Sequence, residues 1–394
     1  MVKICHVYWF YPPAAIGGIE TFLQSVSEKY AEKGNDVTIV TGSYGYKSKK
    51  ENNVNVIRTD IFERYRKDIS STQQESEACE FLTKVIEKNK IQILHVHNFH
   101  FTHNVPHILA SLRAARNKNI PIVLHVHGPG SQTVSDFLLS RIGWDKVISV
   151  SKYVATEVYE KGVKGDSLEV IYNGTNTEWF KPGSKNEKLL EEIGVDSEKI
   201  ILGTPSRLIT SNGSIVERKG YFTIMKALSL LKERRDDFIW ILTGGKFPNQ
   251  DMMESAKNKM MDYARIYGIE DNVKICVEVP HEDMPSFYNS MDLMLLPSTD
   301  EPFGLSTIEA MSCGTVAIGA NSGATTEIIR NKVDGFIIQP ENHIELADLL
   351  VKLMANDDLR KDVGMNSRRT IVERFSIDKL VESLDKMYKG LLNE

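Results

Sequence analysis

The chain has 394 residues, of which 41% are apolar and 26% charged, a balance typical of a globular protein rather than a disordered one. Its length predicts about two domains. No apolar run reaches the ~18 residues that a membrane-spanning helix needs, and the first residues lack the pattern of a secretory signal. The formal net charge of −5 argues against nucleic acid as a partner.

The placement of the cysteines and the distribution of charge narrow the class of protein further. The four cysteines are scattered and form no C-x-x-C pair, which disfavours a disulfide framework or a zinc knuckle. We therefore expect a reducing, cytoplasmic setting. The first half is mildly basic and the second half acidic, which permits weak peripheral contact with an anionic membrane surface and is equally typical of solvated surface.

The first half alternates short apolar runs with helical patterns. Residues 2–8 and 37–41 are rich in β-branched residues, and between them apolar residues recur at helical spacing over 19–33. Such a strand–helix–strand unit is typical of a parallel sheet. Further strands are predicted at 91–97, 121–127 and 146–150.

The second half repeats the scheme. Strands are predicted at 200–204, 238–243, 273–279, 292–296, 315–319 and 335–338, with helices between most of them, for instance 219–232 and 306–312. Residues 342–394 are almost entirely helical in pattern, and the polar stretch 181–198 is the predicted linker. The sequence thus predicts two doubly wound α/β domains, with a ligand at the carboxyl ends of the strands in the cleft between them.

A pair of glycines precedes the first predicted helix. Gly17 and Gly18 let the backbone approach a ligand closely, and the helix N-terminus offers N–H groups to a phosphate. The pattern is not G-x-G-x-x-G, so a dinucleotide fingerprint is not indicated. A glycine turn that only reverses the chain explains the pair equally well.

Two histidine pairs stand at strand ends: His95 with His97, and His125 with His127. A spacing of two puts each pair on one strand face, which makes a metal site a hypothesis. Zinc sites usually add cysteine or carboxylate ligands, and none stands beside these four histidines. His127 precedes a Gly-Pro-Gly turn, a position typical of a residue facing a cleft.

The stretch 301–314 carries the strongest chemical signal. Ser306 and Glu309 have the spacing of a capping box, which is a structural explanation of Glu309. Glu301 lies eight positions before Glu309, and the backbone amides of residues 303–305 between them form a predicted anion nest. Carboxylates on both sides of such a nest suit hydroxyl groups, one on a sugar and one on a ribose.

Two cations lie near predicted strand ends in the second half. Arg207 ends the strand at 200–206, and Lys219 opens the next helix. The chain contains no Asp-x-Asp pair, a common carboxylate pair for holding a magnesium–nucleotide complex. Arg207 and Lys219 are therefore predicted to neutralise a pyrophosphate without a metal. Exposed helix-end charge is the alternative explanation of each.

Taken together, these motifs resemble the retaining GT-B-fold glycosyltransferases of family four, which use nucleotide-diphosphate sugars. The resemblance runs nearly end to end and rests on the Gly-Gly loop, the strand-end His-Gly, the stretches 150–158 and 170–176, Arg207 with Lys219-Gly220, and above all the E-x7-E pattern of Glu301 and Glu309. It implies two Rossmann-like domains facing across a cleft. It also implies an acceptor domain over 1–180, a donor domain over 181–375, and a final helix, 376–394, packing back on the first domain.

The resemblance also implies roles for single residues. Glu301 and His127 would contact the transferred sugar, and Glu309 would hold the ribose hydroxyls. Arg207 and Lys219 would bind the diphosphate. Backbone N–H groups around the donor would come from Phe303, Gly304 and Leu305, and the phosphate would also meet Gly17 and Gly18. No cofactor and no metal are implied. The interval from Arg207 to Lys219 is longer than is usual in the family, which makes Arg218 an alternative cation.

Other functions of the same fold class require other features. A sugar-nucleotide epimerase would need catalytic carboxylates in the first domain, and a glycan phosphorylase would need a lysine for pyridoxal phosphate. A non-enzymatic, two-lobed sugar-binding protein would need an export signal. The resemblance implies a donor linked to UDP, GDP or ADP and a sugar, glycan or lipid-linked acceptor. It leaves the base, the sugar and the acceptor open.

Overall fold

The computed structural model describes residues 1–15, 17–63, 70–99, 105–128, 130, 133–206, 208–209, 215–243, 250–276 and 279–393. The chain forms two compact units. Unit 1 consists of Met1–Asn173 together with Ile377–Glu394, and unit 2 consists of Gly174–Ser376. Each unit is built on one sheet of its own, as the sequence predicts.

Unit 1 contains an eight-stranded sheet in the order β3-β4-β2-β1-β5-β6-β7-β8. All neighbouring strands are parallel except the pair β3–β4. The strands are β1 (Lys3–Val7), β2 (Asp36–Gly42), β3 (Lys49–Glu51), β4 (Val54–Thr59), β5 (Ile93–His97), β6 (Ile122–Val126), β7 (Lys146–Ser149) and β8 (Leu168–Val170). The strand order reverses between β1 and β5, and ligands of doubly wound sheets bind at such a switch point.

The helices of unit 1 cover the apolar strands on both faces of the sheet, as parallel sheets require. They are α1 (Gly18–Glu32), α2 (Ser71–Asn89), α3 (Val105–Asn117), α4 (Thr133–Ser140), α5 (Lys152–Glu160) and the C-terminal helix α14 (Ile377–Leu391). Helix α14 packs on α1, and the Tyr30 hydroxyl donates to Asp385 Oδ1 at 2.8 Å. The last residues of the chain are therefore part of the first unit.

Unit 2 contains a six-stranded, all-parallel sheet in the order β11-β10-β9-β12-β13-β14. The strands are β9 (Ile200–Pro205), β10 (Phe238–Thr243), β11 (Val273–Cys276), β12 (Leu293–Leu296), β13 (Val316–Ala320) and β14 (Phe336–Ile338). The helices are α6 (Glu187–Glu192), α7 (Tyr221–Lys232), α8 (Gln250–Ile266), α9 (Met284–Asn289), α10 (Leu305–Ser312), α11 (Thr325–Ile328), α12 (His343–Met354) and α13 (Asp357–Arg374). The switch point lies between β9 and β12.

The chain enters and leaves unit 2 at neighbouring positions. The Thr175 N–H donates to the Phe375 carbonyl at 2.9 Å, and Thr175 forms a parallel bridge with Ser376. Within unit 2 the two ends of the segment Gly174–Ser376 are thus held side by side by backbone hydrogen bonding.

The structure differs from the sequence-based expectation in several elements. The edge strands β3 and β8 and the neighbouring strand β4 were not predicted, and the predicted linker contains the short helix α6. The helix predicted at 219–232 begins at Tyr221, after a separate 3-10 turn at Glu217–Lys219. Among the described helices, none is long and apolar enough to cross a membrane.

Candidate active site

Two loops meet at the switch point of unit 2. The Thr299 N–H donates to the Arg218 carbonyl at 2.9 Å, and the Ser298 hydroxyl donates to the same oxygen at 2.8 Å. These bonds tie the turn at Glu217–Lys219 to the loop that follows β12. Residues 80 and 81 positions apart in sequence are thereby brought together at the carboxyl edge of the sheet.

An ion pair forms where these loops meet. Lys219 Nζ lies 2.6 Å from Glu301 Oε2, and the two side chains are 14% and 9% exposed. A surface lysine would keep its head group in water, so this burial counts against the explanation of Lys219 as an exposed helix-end charge. Lys219 and Glu301, which the resemblance predicts to bind the same nucleotide sugar, are therefore in direct contact.

Glycines shape the backbone around Glu301. The Ala324 N–H donates to the Glu301 carbonyl at 2.9 Å, and the preceding Gly323 has a φ of +56°. A Cβ at Gly323 would lie 2.5 Å from the Glu301 carbonyl oxygen. At Gly220, with a φ of +79°, a Cβ would lie 2.4 Å from the Pro297 carbonyl oxygen. Both positions demand glycine, because any side chain would push the site's backbone apart.

The second carboxylate of the pattern, Glu309, projects from α10 and is partly exposed. The Tyr288 hydroxyl donates to Glu309 Oε2 at 2.6 Å. Burial raises the pKa of Glu309 to about 7, and the hydrogen bond from Tyr288 opposes that rise. At neutral pH the carboxyl group therefore exchanges readily between its neutral and charged forms.

The predicted capping box at Ser306 and Glu309 is wrong. Helix α10 begins at Leu305, its N-cap is Gly304 with a φ of +98°, and no side chain caps it. Ser306 lies inside the first turn, so its hydroxyl is not the N-cap group. Helix capping therefore does not explain Glu309, because its carboxylate accepts a hydrogen bond from Tyr288 rather than from the N-terminus of the helix.

Between Glu301 and Glu309, residues 303–305 offer backbone N–H groups rather than side chains to a ligand. Phe303 is 3% exposed and its ring packs edge-on against Phe375, with centroids 5.9 Å apart. Leu305 is the first residue of α10, and N–H groups in the first turn of a helix lack partners inside the helix. The helix dipole adds partial positive charge at the same place. This geometry suits the predicted backbone contacts of Phe303, Gly304 and Leu305 with an anionic donor.

In unit 1, Gly17 and Gly18 occupy the start of α1 after the carboxyl end of β1. Gly17 is the N-cap, in an extended conformation and without a side-chain cap, and Gly18 is the first helical residue. The Thr21 N–H donates to the Gly17 carbonyl at 2.9 Å, so the helix is fully formed from its first turn. The N-terminus of α1 thus has the polarity that favours a phosphate.

His127 follows the last residue of β6 and is half-buried. Its N–H donates to Asn98 Oδ1 at 2.8 Å, and Asn98 itself has a φ of +52° at the end of β5. Sequence reasoning missed Asn98, as it missed Tyr288 beside Glu309. The sequence signal for Asn98 is an asparagine directly after a strand, because asparagine adopts a positive φ more readily than most residues.

The histidine pairs form one buried cluster that includes His6, which was not predicted. Among the described residues, the groups of three metal-ligating side chains are His6 with His95 and His97, and His97 with His125 and His127, with nitrogens within 4.8 Å of one another. Each group contains a stacked pair, with ring centroids 4.5 Å apart and planes 14° apart in one and 4.3 Å and 16° in the other. An imidazole lone pair lies in its ring plane, so two stacked rings cannot both direct lone pairs at one ion. The geometry therefore favours hydrogen bonding over ligation.

The two predicted arginines differ in status. Arg207 lies outside the described residues. Arg218 is exposed, and its Nη1 donates to the Asp300 carbonyl at 2.8 Å and lies 3.3 Å from Asp300 Oδ2. The guanidinium of Arg218 is thus engaged by its own loop, whereas Lys219 next to it is the buried cation of the pair.

Each unit is a parallel-sheet α/β domain, the fold that GT-B glycosyltransferase structures share. The fold matches that of Anabaena HepE in complex with UDP and glucose, with a TM-score of 0.78, 21% identity, and 98% of this chain and 99% of that chain covered. The model described as Glycosyltransferase Family 4 matches residues 16–179, and that of Glycosyl transferases group 1 matches residues 195–370. The chain belongs to family four of the glycosyltransferases, as the sequence motifs suggest.

Curated relatives cover nearly the whole chain. An uncharacterized glycosyltransferase from Methanocaldococcus jannaschii is 25% identical and covers 98% of this chain and 98% of its own length. The N-acetyl-alpha-D-glucosaminyl L-malate synthase of Bacillus anthracis is 24% identical, with 96% of each chain covered. The matches to both relatives extend over the two units together.

Proposed function

We propose that this protein is a retaining glycosyltransferase that moves a hexose-type sugar from a nucleoside diphosphate to a sugar, glycan or lipid-linked acceptor. The observation that carries the proposal is the buried Lys219–Glu301 pair, with Glu309 eight residues further on and the N-terminus of α10 between the carboxylates. Cation, helix N-terminus and two carboxylates match the groups of a nucleotide sugar: diphosphate, sugar hydroxyls and ribose hydroxyls.

The proposed roles follow from charge and geometry. Lys219 binds the diphosphate and offsets the charge that develops on the leaving oxygen as the glycosidic bond breaks. Glu301 accepts hydrogen bonds from sugar hydroxyls, and its contact with Lys219 keeps both groups oriented before the donor binds. Glu309 accepts hydrogen bonds from the ribose hydroxyls. His127, from unit 1, contacts the transferred sugar.

Transfer is proposed to need no divalent metal. Among the described residues, the groups of three metal-ligating side chains are made of histidines of unit 1 and contain no carboxylate. Magnesium prefers oxygen ligands, so these histidines do not suit a magnesium–diphosphate complex. The cation of Lys219 and the dipole of α10 supply positive charge instead. The leaving diphosphate then takes the proton of the acceptor hydroxyl.

The donor is proposed to be UDP-linked in the first instance, with GDP and ADP as alternatives. The support is that the matching Anabaena structure is a complex with UDP and glucose. The acceptor and a peripheral position at the cytoplasmic face of a membrane belong to the proposal as well. The mildly basic first half of the sequence supports the contact with an anionic membrane surface.

The test has three steps. A thermal-shift screen of UDP, GDP, ADP and CDP identifies the base, because a ligand at 100 times its Kd stabilises by about 2.7 kcal/mol. Turnover of the matching sugar nucleotides is then measured with excess EDTA. Finally, NMR of the product gives the anomeric configuration. Activity in EDTA with retained configuration is expected. Activity that is lost in EDTA and restored by Mg²⁺ or Mn²⁺, or an inverted product, would contradict the mechanism.

A further inference from the structure

The carboxylate of Glu309 has one oxygen bound to the protein and one that reaches solvent. The Tyr288 hydroxyl of α9 lies 2.6 Å from Oε2, and among the described residues this is the one hydrogen bond of the Glu309 side chain. Oε1 has no partner in the described part of the chain, and it is not one of the fully buried polar atoms that lack a partner. Oε1 is therefore open to a ligand while Oε2 is fixed.

Tyr288, which fixes Oε2, is itself held in place by the core of unit 2. It is 1% exposed, and its ring packs edge-on against Phe180 with centroids 5.7 Å apart. The Thr315 hydroxyl donates to the Tyr288 carbonyl at 2.8 Å, which ties α9 to the segment that enters β13. In a close-packed interior such a ring cannot turn its hydroxyl away without displacing its neighbours. The position of the Tyr288 oxygen therefore sets the position of Glu309 Oε2.

The hydrogen bond has one direction when Glu309 is charged. A carboxylate can only accept, and burial together with the charge of Glu309 holds the pKa of the Tyr288 hydroxyl well above its usual value. The phenol thus stays protonated and donates. This bond favours the charged carboxylate and opposes the effect of burial, which raises the pKa of Glu309 to about 7.

The other groups packed around α10 do not share this role. Helix α10 packs on α9, α13, β12 and β13, and the two strands consist of uncharged residues. From α13, Arg368 reaches the end of α10, where its Nη1 donates to the Ser312 carbonyl at 3.1 Å. Cys313, one turn after Glu309, is a neutral thiol because burial raises its pKa to about 12. Among the described residues, Tyr288 is thus the group that orients the Glu309 carboxylate.

We propose that Tyr288 is a positioning residue for the nucleotide: it holds Glu309 Oε2 so that Oε1 is oriented toward the ribose hydroxyls before the donor binds. The contact with the ribose rests on the proposed function. The orientation of Glu309 rests only on the geometry of α9 and α10. Ordering a flexible side chain in advance removes part of the cost of binding, so Tyr288 acts on nucleotide affinity rather than on the chemical step.

The test variant is Tyr288→Phe, which keeps the buried ring and removes the hydroxyl. Immobilising one flexible side chain costs a factor of about two to ten in affinity, so the nucleotide Kd should rise by that factor at pH 9, where Glu309 is largely charged in both proteins. At pH 7 the rise should be about fivefold larger, because losing one hydrogen bond moves the pH midpoint of binding up by about one unit. The donor KM should rise with the Kd, and kcat should change little.

The assay is calorimetric titration with UDP, GDP and ADP, and with the 2′,3′-dideoxy form of the one that binds most tightly. The dideoxy form lacks the hydroxyls that Glu309 contacts in the proposal, so it should bind Tyr288→Phe and the unaltered protein equally. The matched control is Tyr388→Phe, which removes a buried hydroxyl bonded to His95 in unit 1 and should leave each Kd unchanged. An equal loss for the ribose and dideoxy forms, or a loss that disappears at pH 9, overturns the proposal.

Melting curves without nucleotide test the hydrogen bond by itself. Because the bond favours the charged carboxylate, Tyr288→Phe should lose about 2–4 °C more in Tm at pH 8 than at pH 4.5. When Glu309→Gln is already present, the same substitution should cost the same at both pH values. A loss in Tm that does not depend on pH in the Glu309 protein overturns the orientation of Glu309 by Tyr288.

The nucleotide titrations also separate this proposal from the proposed function. If Glu309→Gln weakens nucleotide binding and Tyr288→Phe does not, the positioning role is wrong and the contact of Glu309 with the ribose stands. If neither variant weakens binding, the ribose contact of the proposed function is wrong, and the positioning role fails with it. Weaker binding in both variants, confined to the nucleotide that carries the ribose hydroxyls, supports the two together.

Discussion

Replacing Glu309 with glutamine should stabilise the protein at alkaline pH while weakening nucleotide binding. Burial raises the pKa of Glu309 from 4.5 to about 7, so the folded state binds the proton more tightly than the unfolded state does. The stability gained from the neutral carboxyl is complete below about pH 4.5 and is lost as the pH rises through about 7. Glutamine stays neutral throughout and can still accept the hydrogen bond from Tyr288.

The size of the effect follows from the change in pKa. A tenfold change in an acid dissociation constant corresponds to about 1.4 kcal/mol, so ionising Glu309 in the folded protein costs about 3 kcal/mol at pH 8. For a domain the size of unit 2, 1 kcal/mol shifts Tm by about 2–4 °C. Glu309→Gln should therefore melt about 6–12 °C above the unaltered protein at pH 8, and at nearly the same temperature at pH 4.5.

The assay is a series of melting curves of each protein between pH 4.5 and pH 8. Glu373→Gln, on the exposed face of α13, is the matched control and should show no difference that grows with pH. A Glu309→Gln protein that melts below the unaltered one at pH 8 would show that the charged carboxylate, bonded by Tyr288, stabilises the fold. The burial argument for its pKa would then be refuted.

Three other predictions concern the same unit. Nucleotide affinity, measured by calorimetry, should rise between pH 6 and pH 8 and then level off, because the ribose hydroxyls bind the charged form of Glu309; a flat profile would separate Glu309 from the ribose. Lys219→Ala should lower kcat about 10²–10³-fold with a smaller effect on donor affinity. Arg218→Ala, which removes an exposed contact, should lower kcat much less. The reverse order of the two losses would move the phosphate site to Arg218. Gly323→Ala should lower both Tm and kcat, because the added Cβ meets backbone of the site. The control Gly268→Ala, at a φ of +67° but with open space around it, should cost only the strain of its positive φ, about 1 kcal/mol. Equal effects of the two variants would refute the steric argument.

The strands of the two sheets were predictable where burial is complete. Strands such as β9, β10 and β13 read as continuous apolar runs, because both faces of a parallel sheet are covered. The edge strands carry no such signal. Strand β3 consists of Lys49, Lys50 and Glu51, whose polar side chains suit an exposed edge. Strand β8 has three residues of intermediate burial, too few for a pattern.

The candidate site was predictable in its local parts only. The spacing of Glu301 and Glu309 marks both carboxylates, because each lies on a short, contiguous segment. The capping box failed since the positive φ of Gly304 lets α10 begin two residues earlier than Ser306 would. The partners Tyr288 and His6 come from distant segments, and only packing and strand register bring them to the site.

The backbone pairing of Thr175 with Phe375 and Ser376 makes unit 2 an inserted domain, with its entry and exit side by side. A ribosome therefore releases all of unit 2 before it releases α14. Unit 1 meanwhile lacks the contacts that Asp385 and Tyr388 make with Tyr30 and His95. Domains fold as units during synthesis. Unit 2 is therefore fully synthesised, and able to fold, before the last helix of unit 1 has been made. Unit 1, begun first, is complete only when α14 has been made and packs on α1.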